Sequence, residues 1–133
     1  MHTMLKPLVE STIPDEDNCT RVIDKNSEFY NAIRTAGDYV RYRGKVYYTF
    51  IDFWKDVTGR EKARCTNANC PDNGEEYDLQ GAHIVLEKPS GSIKEGEECY
   101  IVPLCPKCNH PDNKDAMIFR NTMEVPVIVW GKS

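Results

Sequence analysis

A small α+β domain is the fold class this sequence predicts. Three observations carry it: β-rich runs such as YVRYRGKVYYTF, GAHIVL and CYIVPLC, two stretches with helical apolar spacing, and two cysteine pairs far apart in the chain. The 133 residues fit one domain of ordinary size, and 40% hydrophobic residues supply a core. One domain is expected over 1–133, with residues 1–26 as a partly mobile arm in which Asp15, Glu16 and Asp17 form a solvated loop.

Ser27 offers an N-cap oxygen before EFYNAIRTAG, where Phe29, Tyr30, Ile33 and Ala36 recur at helical spacing and Gly37 supplies a stop. A helix is therefore expected over about residues 27–36. The run 39–50 reads as a hairpin or one bent strand, with Gly44 permitting the turn. As a single strand it would place Val40, Tyr42, Val46, Tyr48 and Phe50 on one face, and a hairpin would shift that register. IDFWKDVTGR then predicts a short helix ended by Gly59. YDLQGAHIVL and CYIVPLC read as two strands joined by the turn-rich EKPSGSIKEGEE. MIFRN and VPVIVW predict a closing hairpin across NTME, and Trp54 and Trp130 read as core anchors.

The formal charge of −4 argues against a protein that coats nucleic acid through overall basicity. The charge is uneven. Residues 39–64 carry 7 basic and 3 acidic side chains, whereas the segments on either side are net acidic. The start, MHTMLKPLVESTIPDED, lacks a long apolar run and reads as neither signal peptide nor membrane span, so a cytoplasmic location with no membrane partner is expected.

In a reducing compartment six cysteines do not suggest a disulfide framework, and the CxxC spacing favours metal. Cys65 and Cys70 stand in RCTNANC, and Cys105 and Cys108 in LCPKCN. Two such loops present four thiolates to one tetrahedral Zn²⁺, a set that leaves no open position for water and is therefore structural. Asn67 and Asn69 suit the tight turn that a metal knuckle needs. Cys99 alternates with Ile101 on an expected strand and reads as packed, and Cys19 offers no partner.

Residues 65–115 resemble the HNH, or ββα-metal, superfamily, in its members whose hairpin is braced by a treble-clef zinc clamp. The resemblance rests on a cysteine pair, the strand GAHIV, and a second strand running into IVPLCPKCNH; GAH combined with YIVPLC is similar to short bacterial and phage proteins. It implies a treble-clef/HNH-like core, to which the helix and hairpin read from residues 27–50 are added N-terminally. It also implies a nuclease mechanism with His83 as general base on water, Asn109 or His110 near the third motif position, and Mg²⁺ or Mn²⁺ as the catalytic ion. Two positions depart from the pattern: Ala82 stands where an acid commonly holds the metal, and Tyr100 where Asn is usual.

Read from the residues alone, His83 suits either a general base at a strand end, with Gly81 and Ala82 letting a substrate come close, or a histidine bonded to the cysteine-loop backbone. The second reading is favoured. Asn109 suits a positive-φ turn offering amide bonds to thiolates, His110 an exposed loop, and Tyr100 cross-strand packing. Three functions follow as alternatives. In the first, the module binds DNA or RNA without cutting it, through Arg41, Arg43, Lys45, Arg60, Lys62 and Arg64. The second is a divergent HNH endonuclease using His83. The third is a protein-interaction module or inhibitor from a mobile element.

Overall fold

The computed structural model describes residues 8–33, 38–70, 79–94 and 96–129. It is an α+β structure with one α-helix and two sheets among those residues. The strands are β1 (Glu10–Ser11), β2 (Thr20–Ile23), β3 (Glu28–Asn31), β4 (Tyr39–Tyr42), β5 (Lys45–Tyr47), β6 (Gln80–Val85), β7 (Glu98–Leu104), β8 (Met117–Ile118) and β9 (Met123–Val129); the helix α1 spans Phe50–Thr58.

The larger sheet has six strands in the order β2-β9-β7-β6-β3-β8, each antiparallel to its neighbours. Its centre is the β6–β7 hairpin, registered from Gln80 opposite Leu104 to Ile84 opposite Tyr100. Every residue of β7 from Cys99 to Leu104 is buried, which explains why CYIVPL is an apolar run rather than an alternation. β6 does alternate, with Ala82 and Ile84 buried and their neighbours partly exposed.

In the smaller sheet, β1-β4-β5, the run 39–50 forms a hairpin rather than one bent strand. Arg43 and Gly44 both take positive φ, at 49° and 79°, as a two-residue turn of the type that matches strand twist requires. Val40 consequently pairs with Tyr47, both buried, while Tyr48 is left exposed, so the single-strand register is replaced. Helix α1 ends where expected, at a left-handed Gly59 whose N–H bonds the Lys55 carbonyl. The helix buries Phe53 and Trp54, and Tyr42 and Tyr47 set their rings edge-on to Phe53. Trp130 lies outside the described residues.

Two expectations are corrected. The segment read as a helix over 27–36 is strand β3 over Glu28–Asn31, with residues 34–37 outside the described set. Pairing decides it: β3 sits between β6 and β8, and Phe29 is fully buried with its ring centroid 4.6 Å from that of Phe119. Second, β8 and β9 do not form a hairpin. β8 pairs with β3 at one edge of the sheet, and β9 lies between β2 and β7. Within 1–26 the described residues make their own pairings: β1 pairs with β4, β2 extends the large sheet, and a 3-10 turn over Glu16–Asn18 is capped by Asp15.

The first turn of helix α1 lies against β6 at Gly81. A Cβ there would collide with the backbone of Phe50 and Ile51. The glycine therefore admits the first turn of the helix to the sheet, and it is the helix rather than a substrate that comes close.

Candidate metal centre and basic cleft

Cys65 and Cys70 follow α1 and stand outside any helix or strand, and Cys105 and Cys108 lie in the turn that leaves β7. Backbone bonds tie the first loop to the strands beside it, from Thr66 N–H to the Pro103 carbonyl of β7 at 2.9 Å and from Ala68 N–H to the Ile118 carbonyl of β8 at 2.8 Å. All four cysteines are buried and free of disulfides, and their sulfurs lie within 4.8 Å of one another. A tetrahedron of metal–thiolate bonds of about 2.3 Å has sulfur–sulfur edges of about 3.8 Å. Cys70 Sγ and Cys105 Sγ stand 3.6 Å apart, so the set fits one ion.

The donors around the sulfurs suit thiolates. Cys105 N–H points at Cys65 Sγ at 3.4 Å, Cys108 N–H at Cys105 Sγ at 3.4 Å, and Asn67 Nδ2 at Cys108 Sγ at 3.5 Å. Burial pushes the Cys65 thiol well above its ordinary value and the Cys108 thiol up to about 11, which disfavours ionising these two sulfurs in the absence of a cation. Asn67 is buried and used at both ends, its Oδ1 accepting from Asn69 N–H at 3.1 Å. Cys99 is fully buried on β7 opposite Ile128, outside the cluster, and burial raises its thiol to about 12. Cys19 is buried as well.

Asn109 does not serve the thiolates as its sequence position suggested. It has no positive φ; its side chain donates to Gln80 Oε1 at 2.8 Å and its N–H to the Cys105 carbonyl at 2.9 Å. Asn67, earlier in the chain, provides the amide instead. His110 is exposed, its Nδ1 accepting from Asp112 N–H at 3.1 Å. Tyr100 packs across strands as expected and accepts a bond from Arg21 at 3.0 Å.

His83 lies within β6, opposite Ile101, with its ring centroid 4.5 Å from that of Phe50. Its Nε2 is sealed from solvent with no hydrogen-bond partner, so the ring does not brace the cysteine loop through that atom. Burial lowers its pKa to about 4. Among the described residues, the four cysteines are the one group of three or more His, Cys, Asp or Glu side chains placed to hold a metal. His83, His110, Asp112 and Asp115 are not brought together into a second.

The six basic residues expected to face nucleic acid divide into two sets. On the β4–β5 hairpin, Arg41 bonds Glu10 at 3.3 Å, Arg43 approaches Asp17 at 3.6 Å, and Lys45 approaches Asp56 at 3.5 Å. Arg60, Lys62 and Arg64 follow α1, are exposed, and have no ion pair among the described residues. They line a cleft of about 290 Å³, and Arg120 lines it too, while no acidic residue does. Arg120 escaped the sequence reading because MIFRN looked like half of a hairpin. It leaves the sheet directly after Phe119, and nothing in its local pattern shows that it turns toward the first cysteine loop.

No family model, curated protein or solved structure matches this chain.

Proposed function

We propose that this protein is a structural-zinc domain that binds nucleic acid through the cleft after α1, without cutting the strand. The uncompensated charge of Arg60, Lys62, Arg64 and Arg120 carries the reading, because cations that lack acidic partners are free to exchange counterions for phosphates. The ion held by Cys65, Cys70, Cys105 and Cys108 is zinc on the chemistry of its donors: four soft thiolates in a closed tetrahedral set. It supplies folding energy and no open coordination position. The treble-clef/HNH-like relationship is supported by the β6–β7 hairpin with a cysteine loop at its end; the helix over that hairpin, α1, precedes it in the chain. In this reading His83 packs its ring against Phe50, while Asn109 bonds Gln80 and His110 accepts from Asp112 N–H.

The test is binding of single- and double-stranded oligonucleotides across a salt series. Three or four phosphate contacts give a log–log slope of roughly −2 to −4. Absent or salt-insensitive binding would remove the reading. Strand cleavage with Mg²⁺ that is lost in His83→Ala would replace it with the nuclease.

A further inference from the structure

The basic cleft and the metal centre share a stretch of chain. Arg64, Cys65 and Thr66 line the cleft, and Cys65 is also one of the four clustered cysteines. This stretch is stitched to the chain that leaves β8. Arg120 N–H donates to the Thr66 carbonyl at 2.9 Å, and the Arg120 side chain donates from Nε to the Cys65 carbonyl at 3.1 Å and from Nη2 to the Asn67 carbonyl at 2.9 Å. Asn67 carries the connection onward, because its Nδ2 points at Cys108 Sγ, in the second cysteine loop, at 3.5 Å. An unbroken run of bonds therefore leads from Arg120, a residue of the cleft, to both cysteine loops.

We infer that a strand in the cleft and the ion at the cysteines are linked ligands, each tightening the hold on the other, with Arg120 as the positioning residue between them. The inference rests on the nucleic-acid reading for the occupant of the cleft and adds how that site is regulated. Two states define the link. In one, the sulfurs hold the ion and residues 65–67 keep their bonds to Arg120. In the other, Cys65 has left the ion, the loop has parted from the guanidinium, and Arg64 and Arg120 are no longer held in one cleft. A polyanion that spans Arg64 and Arg120 ties the loop to the chain after β8, so it favours the first state, and a difference in affinity between two states is what lets a ligand shift their balance. Such coupling is reciprocal: the ion raises strand affinity by the same factor by which the strand raises metal affinity.

Transfer of zinc from the full, zinc-loaded chain to an excess of chromogenic chelator measures the link without a metal-free protein. An oligonucleotide at saturating concentration, its occupancy checked by fluorescence anisotropy, is expected to slow the transfer by about fivefold or more. In Arg120→Met the strand is still held by Arg60, Lys62 and Arg64, and at saturation the slowing is expected to vanish. Arg120→Lys keeps the cation and removes the planar fork that reaches two carbonyls, so it gives the same result where Arg120→Met folds poorly. Lys62→Ala weakens strand affinity and leaves the Arg120 bonds in place, so at saturating strand it keeps the slowing. Equal transfer rates with the strand bound and absent overturn the link and leave the nucleic-acid reading standing. Absence of strand binding to the zinc-loaded chain at low salt removes the nucleic-acid reading, and the link with it. Slowing that survives in both Arg120 variants, with the strand bound, places the protection elsewhere and overturns the inference.

Discussion

Arg120 Nε donates to the carbonyl oxygen of Cys65 at 3.1 Å, so one side chain forms part of the basic cleft and fixes the loop that carries the first metal ligand. Its Nη2 bonds the Asn67 carbonyl at 2.9 Å, two residues further along the same loop. Cleft and metal centre are therefore two sides of one piece of backbone, residues 64–67.

That shared backbone predicts the behaviour of Arg120→Met, which keeps the apolar stem and removes both bonds. We expect a loss of about 2 kcal/mol in chemical denaturation and a weakening of metal affinity of about tenfold, since partners that orient ligands commonly matter to that degree. A competition titration against a chromogenic chelator measures the second quantity. Affinity equal to that of the unaltered chain would show that the loop holds its shape without the guanidinium.

The cysteines predict a clean division by substitution. Elemental analysis should find about one zinc per chain, and Cys105→Ser or Cys108→Ser should lose most of it along with several degrees of melting temperature. Cys99→Ala should keep the metal and lose only packing, because Cys99 is buried opposite Ile128 and outside the cluster. A melting temperature that chelation leaves unchanged counts against a folding role for the ion.

The sequence exposed most clearly those features whose physics is local. CxxC spacing, the positive-φ turn at Arg43 and Gly44, and the Gly59 stop each depend on a few adjacent residues, and each is found in the fold. Phe29 shows the opposite case. Its helical spacing with Ile33 is genuine, but the choice between helix and strand is made by β6 and β8, which lie more than fifty residues away in the chain. The candidate site divides in the same way. Arg60, Lys62 and Arg64 were visible as a basic run, whereas Arg120, Trp54 and Thr66 join them only through the path of the chain. Likewise the acids that occupy Arg41, Arg43 and Lys45 come from β1, the Glu16–Asn18 turn and α1, so their pairing could not be read from YVRYRGK itself.

Gly81→Ala should destabilise the fold by about 1–3 kcal/mol, because its Cβ would meet the Phe50 and Ile51 backbone and push α1 off the sheet. The helix carries Trp54, which lines the basic cleft, so nucleic-acid binding should weaken in the same variant. Gly44→Ala provides a contrast. Nothing lies near its Cβ, and its φ of 79° makes the cost one of backbone conformation alone, leaving α1 in place. Circular dichroism melts and tryptophan emission of the two variants distinguish helix displacement from turn strain; identical emission shifts would contradict the packing argument.

His83 makes stability depend on pH with a defined sign. Its folded pKa of about 4 lies below the ordinary 6.5 because burial penalises the charged ring, so between those values the unfolded chain binds the proton more readily. Stability is then full above about pH 6.5, falls as the pH drops through the window, and has lost this contribution below about pH 4. The span sets an upper bound of about 3 kcal/mol. The thiolates also take up protons as metal is released by acid, so the measurement is a difference between the chain and His83→Phe across pH 4–7, each at saturating zinc. The variant keeps a ring beside Phe50 and removes the titrating group. It should lose less stability on acidification than the unaltered chain; parallel profiles would mean that the imidazole reaches water in the folded state.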